Sequence, residues 1–118
     1  MLAQQLYEQG HKFSGGWNFG PLEGDARPVK WVVNEMSNAM GVDDNWQMEQ
    51  GQFFPEKQLL LLDASMANFE LQWKPVLSVA AGVQLTADWY ADYLSGKNLC
   101  DKTQQQIEYY ESLVTKSG

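Results

Sequence analysis

The chain has 118 residues, of which 44% are hydrophobic and 13% aromatic, and carries a net charge of −7. That length builds one domain with a real core, while the acidic balance, with only eight Lys and Arg residues, argues against nucleic acid and anionic membranes as partners. No stretch approaches the roughly 20 apolar residues of a membrane span. With one cysteine, Cys100, and no secretory-type opening, the sequence reads as cytoplasmic.

Taken in chain order, LAQQLYEQ (2 to 9) has helical apolar spacing and stops at Gly10. It lacks a capping residue at its start and reads as the tail of a longer element. Residues 16 to 19 read as a short aromatic strand, broken by Gly20-Pro21 into the polar turn LEGDAR. Pro28 then suits the first turn of a helix whose apolar residues, Val29, Val32, Val33, Met36 and Met40, recur at three and four until Gly41.

NWQMEQ (45 to 50) and LLLLD (59 to 63) read as strands joined through FFPEK. Asp63 is placed to cap a short helix over ASMANFEL, which ends at Trp73-Lys74-Pro75. Ser78 caps the longest helix, VAAGVQLTADWYADYL, closed by Gly96. Two adjoining apolar stripes on that helix, Val79-Val83-Ala87-Tyr90-Leu94 and Leu85-Trp89-Tyr93, predict packing against more than one neighbour. Thr103 followed by Gln106 resembles a capping box opening a last helix with Ile107, Tyr110, Leu113 and Val114 on one side. The expected architecture is α/β, or α+β with a minimal sheet, of about five helices and two or three short strands.

Chemistry-bearing motifs are missing: the sequence has no GxGxxG, GxxxxGK[ST], HExxH, CxxC or GxSxG, and no catalytic or metal-ligating residue is assigned. Asp43-Asp44 beside Asn45 reads as a solvated loop, His11 as a surface residue and Cys100 as a small apolar one. The binding candidates are few. Arg27 and Lys30 flank the Pro28 helix start, where free N–H groups and the helix dipole favour an anion. Glu56 and Lys57 follow the aromatic step Phe53-Phe54-Pro55, either as part of a small-molecule pocket or as a charged turn beside two core phenylalanines.

Together GGWNFGP, the helix opening at Pro28, and FFPEKQLLLLDASMANFELQWKPVLSVAAGVQLTADWYADYLSG resemble the C-terminal part of the extended short-chain dehydrogenase/reductase family that acts on nucleotide sugars. The closing signature falls on Leu62, Asp63, Ser65, Ala67, Leu71, Trp73, Pro75, Ser78, Gly82, Thr86, Asp88, Trp89 and Tyr90. WNFGP and FPEKxxLLLD are most similar to the group that takes CDP-glucose. Two positions depart from the pattern: Gln72 stands where the family usually has glycine, and Pro55 where that group often has histidine.

The resemblance implies that residues 1 to 118 are the C-terminal substrate-binding lobe of a longer lyase, inactive alone. The NAD-binding Rossmann domain would lie upstream, with Met1 internal or introduced. NAD would be the parent enzyme's cofactor and would not bind this piece, while CDP-glucose, a precursor for lipopolysaccharide sugars, would be the substrate. Trp17, Asn18, Phe19, Gly20 and Pro21 would line the sugar-nucleotide pocket, Gly20 allowing close backbone approach. Arg27, Lys30 or Lys57 would answer the diphosphate and Glu56 would help read the ligand. The expected partners are the missing Rossmann lobe and further copies of the chain, through exposed apolar faces. A related epimerase lobe and a non-enzymatic protein-interaction module are the alternatives.

Overall fold

The computed structural model describes residues 2–43 and 62–117. Among them the regular structure is helical throughout: α1 (Leu2–Gln9), α2 (Val29–Met40), α3 (Ser65–Leu71), α4 (Val79–Leu94) and α5 (Leu99–Ser117), with 3-10 turns at Gly10–Lys12 and Glu23–Asp25. The expected α/β or α+β class is therefore overturned. Residues 16 to 19 form no strand, because Trp17 packs on the cluster of Phe13, Ala67 and Leu71, Phe19 packs on Trp73, and no neighbouring strand is present among the described residues. The expected strand at 45 to 50 and all but the last two residues of the one at 59 to 63 lie outside the described residues. Leu62 and Asp63 themselves are not in a strand.

The helix boundaries follow from local chemistry. Pro28 is the N-cap of α2, one residue earlier than a first-turn proline, and is extended at ψ 149°. At the other end Gly41 takes the left-handed conformation (φ 64°), donating to Asn38 O while Val42 N reaches back to Ser37 O. Helix α4 ends the same way: Gly96 lies at φ 72°, with its N–H on Tyr93 O and that of Lys97 on Asp92 O. Both are paired 5→2 and 6→1 bonds that satisfy terminal carbonyls. Helix α3 stops at Gln72, a non-glycine residue at φ 53°.

Helix α4 is the hub, packed on α2 along one side and on α5 along another, as its two apolar stripes predict. Val83 and Ala87 are its buried residues. Two side-chain bonds stitch the α4–α5 seam: Trp89 Nε1 donates to Thr103 Oγ1 at 3.0 Å and Gln106 Nε2 donates to Leu85 O at 2.7 Å. A separate cluster of Phe13, Ala67 and Leu71 is buried under Leu2, Trp17 and Trp73. Burial among the described residues is otherwise shallow, and large apolar side chains such as Val29, Phe69 and Leu94 are more than 70% exposed. Apolar surface of that extent on a folded chain commonly marks contact with something else.

Candidate functional site

The segment Trp17 to Pro21 runs across Trp73, which forms a wall of two concavities. The larger, about 850 Å³, lies between α1, the 72–76 connection and α5, with Phe19, Trp73 and Tyr110 as its aromatic surface and Lys74 and Glu111 among its polar residues. The smaller, about 610 Å³, includes Pro21, Glu23, Asp63, Asn68, Phe69 and Trp73. Both volumes fall in the range of small-molecule sites.

Within the segment the residues divide by role. Trp17 faces the core, its indole N–H bonded to Phe13 O at 2.9 Å and its ring stacked on Phe13. Asn18 is exposed. Phe19 meets the Trp73 ring edge to face, with centroids 5.0 Å apart, a favoured geometry for aromatic pairs. A Cβ added to Gly20 would lie 3.6 Å from both Cβ and O of Leu62. The close neighbour of Gly20 is thus the chain's own backbone, at ordinary contact distance.

Arg27 and Lys30 line neither concavity. Arg27 pairs with Asp25 at 3.2 Å and lies over the Trp31 ring, 5.5 Å from its centroid; Lys30 is exposed on the first turn of α2. Glu56 and Lys57 lie outside the described residues. The structure therefore brings Phe19 and Pro21 together around Trp73 and leaves Arg27 and Lys30 elsewhere.

Three contributors were not assigned to the site by sequence reasoning. Trp73 was named in the helix stop and the closing signature without a binding role, and Asn68, whose Nδ2 donates to Trp73 O at 3.2 Å, carried no local signal. Asp25 joins the site's loop to α4: its Oδ2 accepts the N–H of Val79 at 2.6 Å, across 54 residues of sequence. Ser78 Oγ accepts Ala81 N at the same helix end. The start of α4 is thus filled by the protein's own carboxylate.

Electrostatics separates the two concavities. At the smaller one Asp63 is held below the usual carboxylate range, first by its hydrogen bond with the Ser65 side chain and then by the Ser65 backbone N–H. With Glu23 nearby in the same lining, that concavity repels an anionic group at neutral pH. The larger one carries both Lys74 and Glu111 and a broad stacking surface. Its chemistry is that of binding. Among the described residues no group of three or more His, Cys, Asp or Glu side chains is placed to hold a metal ion. Lys97, beyond the Gly96 end of α4, has its Nζ bonded to Asp92 at 2.6 Å. His11 and Cys100 are exposed. No helix among the described residues is long and apolar enough to cross a membrane.

The signature residues named from the sequence are largely those that build this framework. Asp63, one residue before the N-cap Ala64, accepts the N–H of Ser65 at the start of α3, Ala67 and Leu71 fill the core, Ser78 caps α4, Thr86 Oγ1 bonds Gly82 O, and Trp89 joins α4 to α5. Comparison with known proteins finds similarity to a dehydratase. The similar protein is CDP-glucose 4,6-dehydratase of Salmonella typhimurium (strain LT2), 33% identical over 116 residues, which is 98% of this chain. The chain spans about a third (32%) of that relative's length. No family model matches the chain.

Proposed function

We propose that this chain is the substrate-binding portion, a single C-terminal domain, of an NAD-dependent CDP-glucose 4,6-dehydratase. The observation that carries the reading is the 33% identity over nearly the whole chain. The aromatic concavity beside Phe19 and Trp73 supports it, since a stacking surface with few polar groups suits a nucleotide sugar. Trp17 to Pro21 shape this wall, with Trp17 as its internal anchor and Phe19 as the stacking face, and Lys74 is the cation the structure adds to it. Arg27, Lys30, Glu56 and Lys57 are the further polar residues of the substrate side.

NAD would supply hydride-transfer chemistry to the parent enzyme. This chain contains no dinucleotide fingerprint, so the residues present do not fit that cofactor. The remainder of the parent protein would hold NAD and cover the exposed apolar side chains; without it, copies of this chain associate through them. A reducing cytoplasm is the proposed compartment.

Calorimetric titration of the chain with CDP-glucose, CDP and UDP-glucose tests the reading. Binding of both CDP ligands in preference to UDP-glucose is the expected result. Equal binding of UDP-glucose, or none of the three by a folded sample and by the full-length protein, overturns it.

A further inference from the structure

The loop that carries Phe19 and Pro21 is held at three points. Trp17 ties its start to Phe13 O, Phe19 rests on Trp73, and Asp25 ties its end to α4. The third tie differs from the others in chemistry and reach. A carboxylate accepting a backbone N–H at a helix start is a charge-assisted bond aided by the helix dipole, and at 2.6 Å it is short. The other oxygen of the same group holds Arg27 at 3.2 Å, and Arg27 in turn covers Trp31 of α2. One carboxylate thus joins the loop, α2 and α4.

We propose that Asp25 is the positioning residue of the candidate site: by accepting Val79 N–H with one oxygen and Arg27 with the other, it holds the 17–21 segment against Trp73. It acts through Phe19 and does not itself touch the larger concavity. Ser78 supplies the contrast. Its hydroxyl caps the same helix end but has no connection to the loop, so removing it weakens α4 while leaving the loop tied.

The test compares the 118-residue chain with D25A, D25N, V79P and S78A by NMR and calorimetry. Val79 is the first residue of α4, a position where proline fits well, so V79P deletes the donor N–H without breaking the helix. Nuclear Overhauser contacts between the Phe19 and Trp73 rings report the loop without any ligand. They are expected to vanish in D25A and V79P and to persist in D25N, which keeps an oxygen acceptor, and in S78A, although its melting temperature falls. If D25A does not fold, V79P carries the same comparison. Contacts that survive in V79P, or vanish equally in S78A, overturn the proposal.

The affinity arm rests on the sugar-nucleotide reading. D25A and V79P are expected to weaken CDP-glucose binding about tenfold, S78A hardly at all. Should neither the unmodified chain nor the full-length protein bind CDP-glucose, that reading fails, and the ring contacts still decide the role of Asp25.

Discussion

The indole N–H of Trp89 on α4 donates to the hydroxyl of Thr103 on α5, 3.0 Å away. This bond joins two consecutive helices through residues only 14 apart in sequence and fixes how the aromatic group Trp89, Tyr90 and Tyr93 is presented. Replacing Thr103 by Val leaves a partly buried donor unpaired. T103V is expected to cost about 1 kcal/mol, or about 4 °C in Tm, while T103S stays near the parent; calorimetric melting of the two variants checks this.

The same threonine shows where local sequence misleads. Thr103 and Gln106 imitate a capping box, yet α5 begins at Leu99, because Asn98 Oδ1 accepts Cys100 N at 3.0 Å and caps the helix a turn earlier. Both supposed capping side chains are spent on the α4–α5 seam instead. Pro28, Gly41, Ser78 and Gly96 were legible because caps and left-handed stops act within a few residues. The strand read at 16 to 19 failed because a strand needs a distant partner, and alternating aromatics serve equally well to reach a core and a tryptophan face. In the candidate site Phe19 and Pro21 could be named from WNFGP, whereas the pairing of Arg27 with Asp25 was not legible, since Asp25 is fixed by a residue 54 positions away.

Glycine substitutions should change sign with position. At Gly41 and Gly96 the backbone is left-handed, so alanine there should cost about 1 kcal/mol each. Gly82 sits inside α4 with nothing within 4 Å of an added Cβ, and G82A should stabilise by about 0.5 to 1 kcal/mol. Urea titrations of the three variants read the signs directly.

Gln72 presents the converse case. It occupies a left-handed turn at φ 53°, offset only by its side-chain amide donating to Phe69 O at 3.0 Å. Q72G relieves the backbone and loses that bond, for an expected net gain of about 0.5 kcal/mol, seen as a higher urea midpoint.

Acid sensitivity has a definite sign. Asp92 is held below the usual carboxylate range chiefly by its hydrogen bond with Lys97, with Lys97 and Lys102 charges adding to it against partial desolvation, and Asp63 is lowered by Ser65. Groups depressed in the fold contribute stability above their unfolded value, about 4, and lose it as pH falls through the folded value. The urea midpoint should therefore hold level from neutral pH to about 5 and drop below about 4. K97M should make the drop shallower. A midpoint that rises on acidification would contradict the assignment.

Phe19 tests the aromatic wall. F19A removes the edge-to-face partner of Trp73, and CDP-glucose affinity should fall about 3- to 10-fold with it. N18A, at an exposed position of the same segment, should change affinity less, by the same titration.

The Asp25–Val79 bond also sets an order on self-assembly of the chain. Ser78 serves Ala81 from three residues away and is available as soon as the first turn of α4 nucleates. Asp25 must instead close a loop of 54 positions before its oxygen reaches Val79, a conformational search whose entropy is overcome only after other long-range contacts exist. Helix α4 therefore starts under a provisional local cap and receives its second acceptor late. Mutations at Ser78 should slow refolding, whereas those at Asp25 should chiefly hasten unfolding.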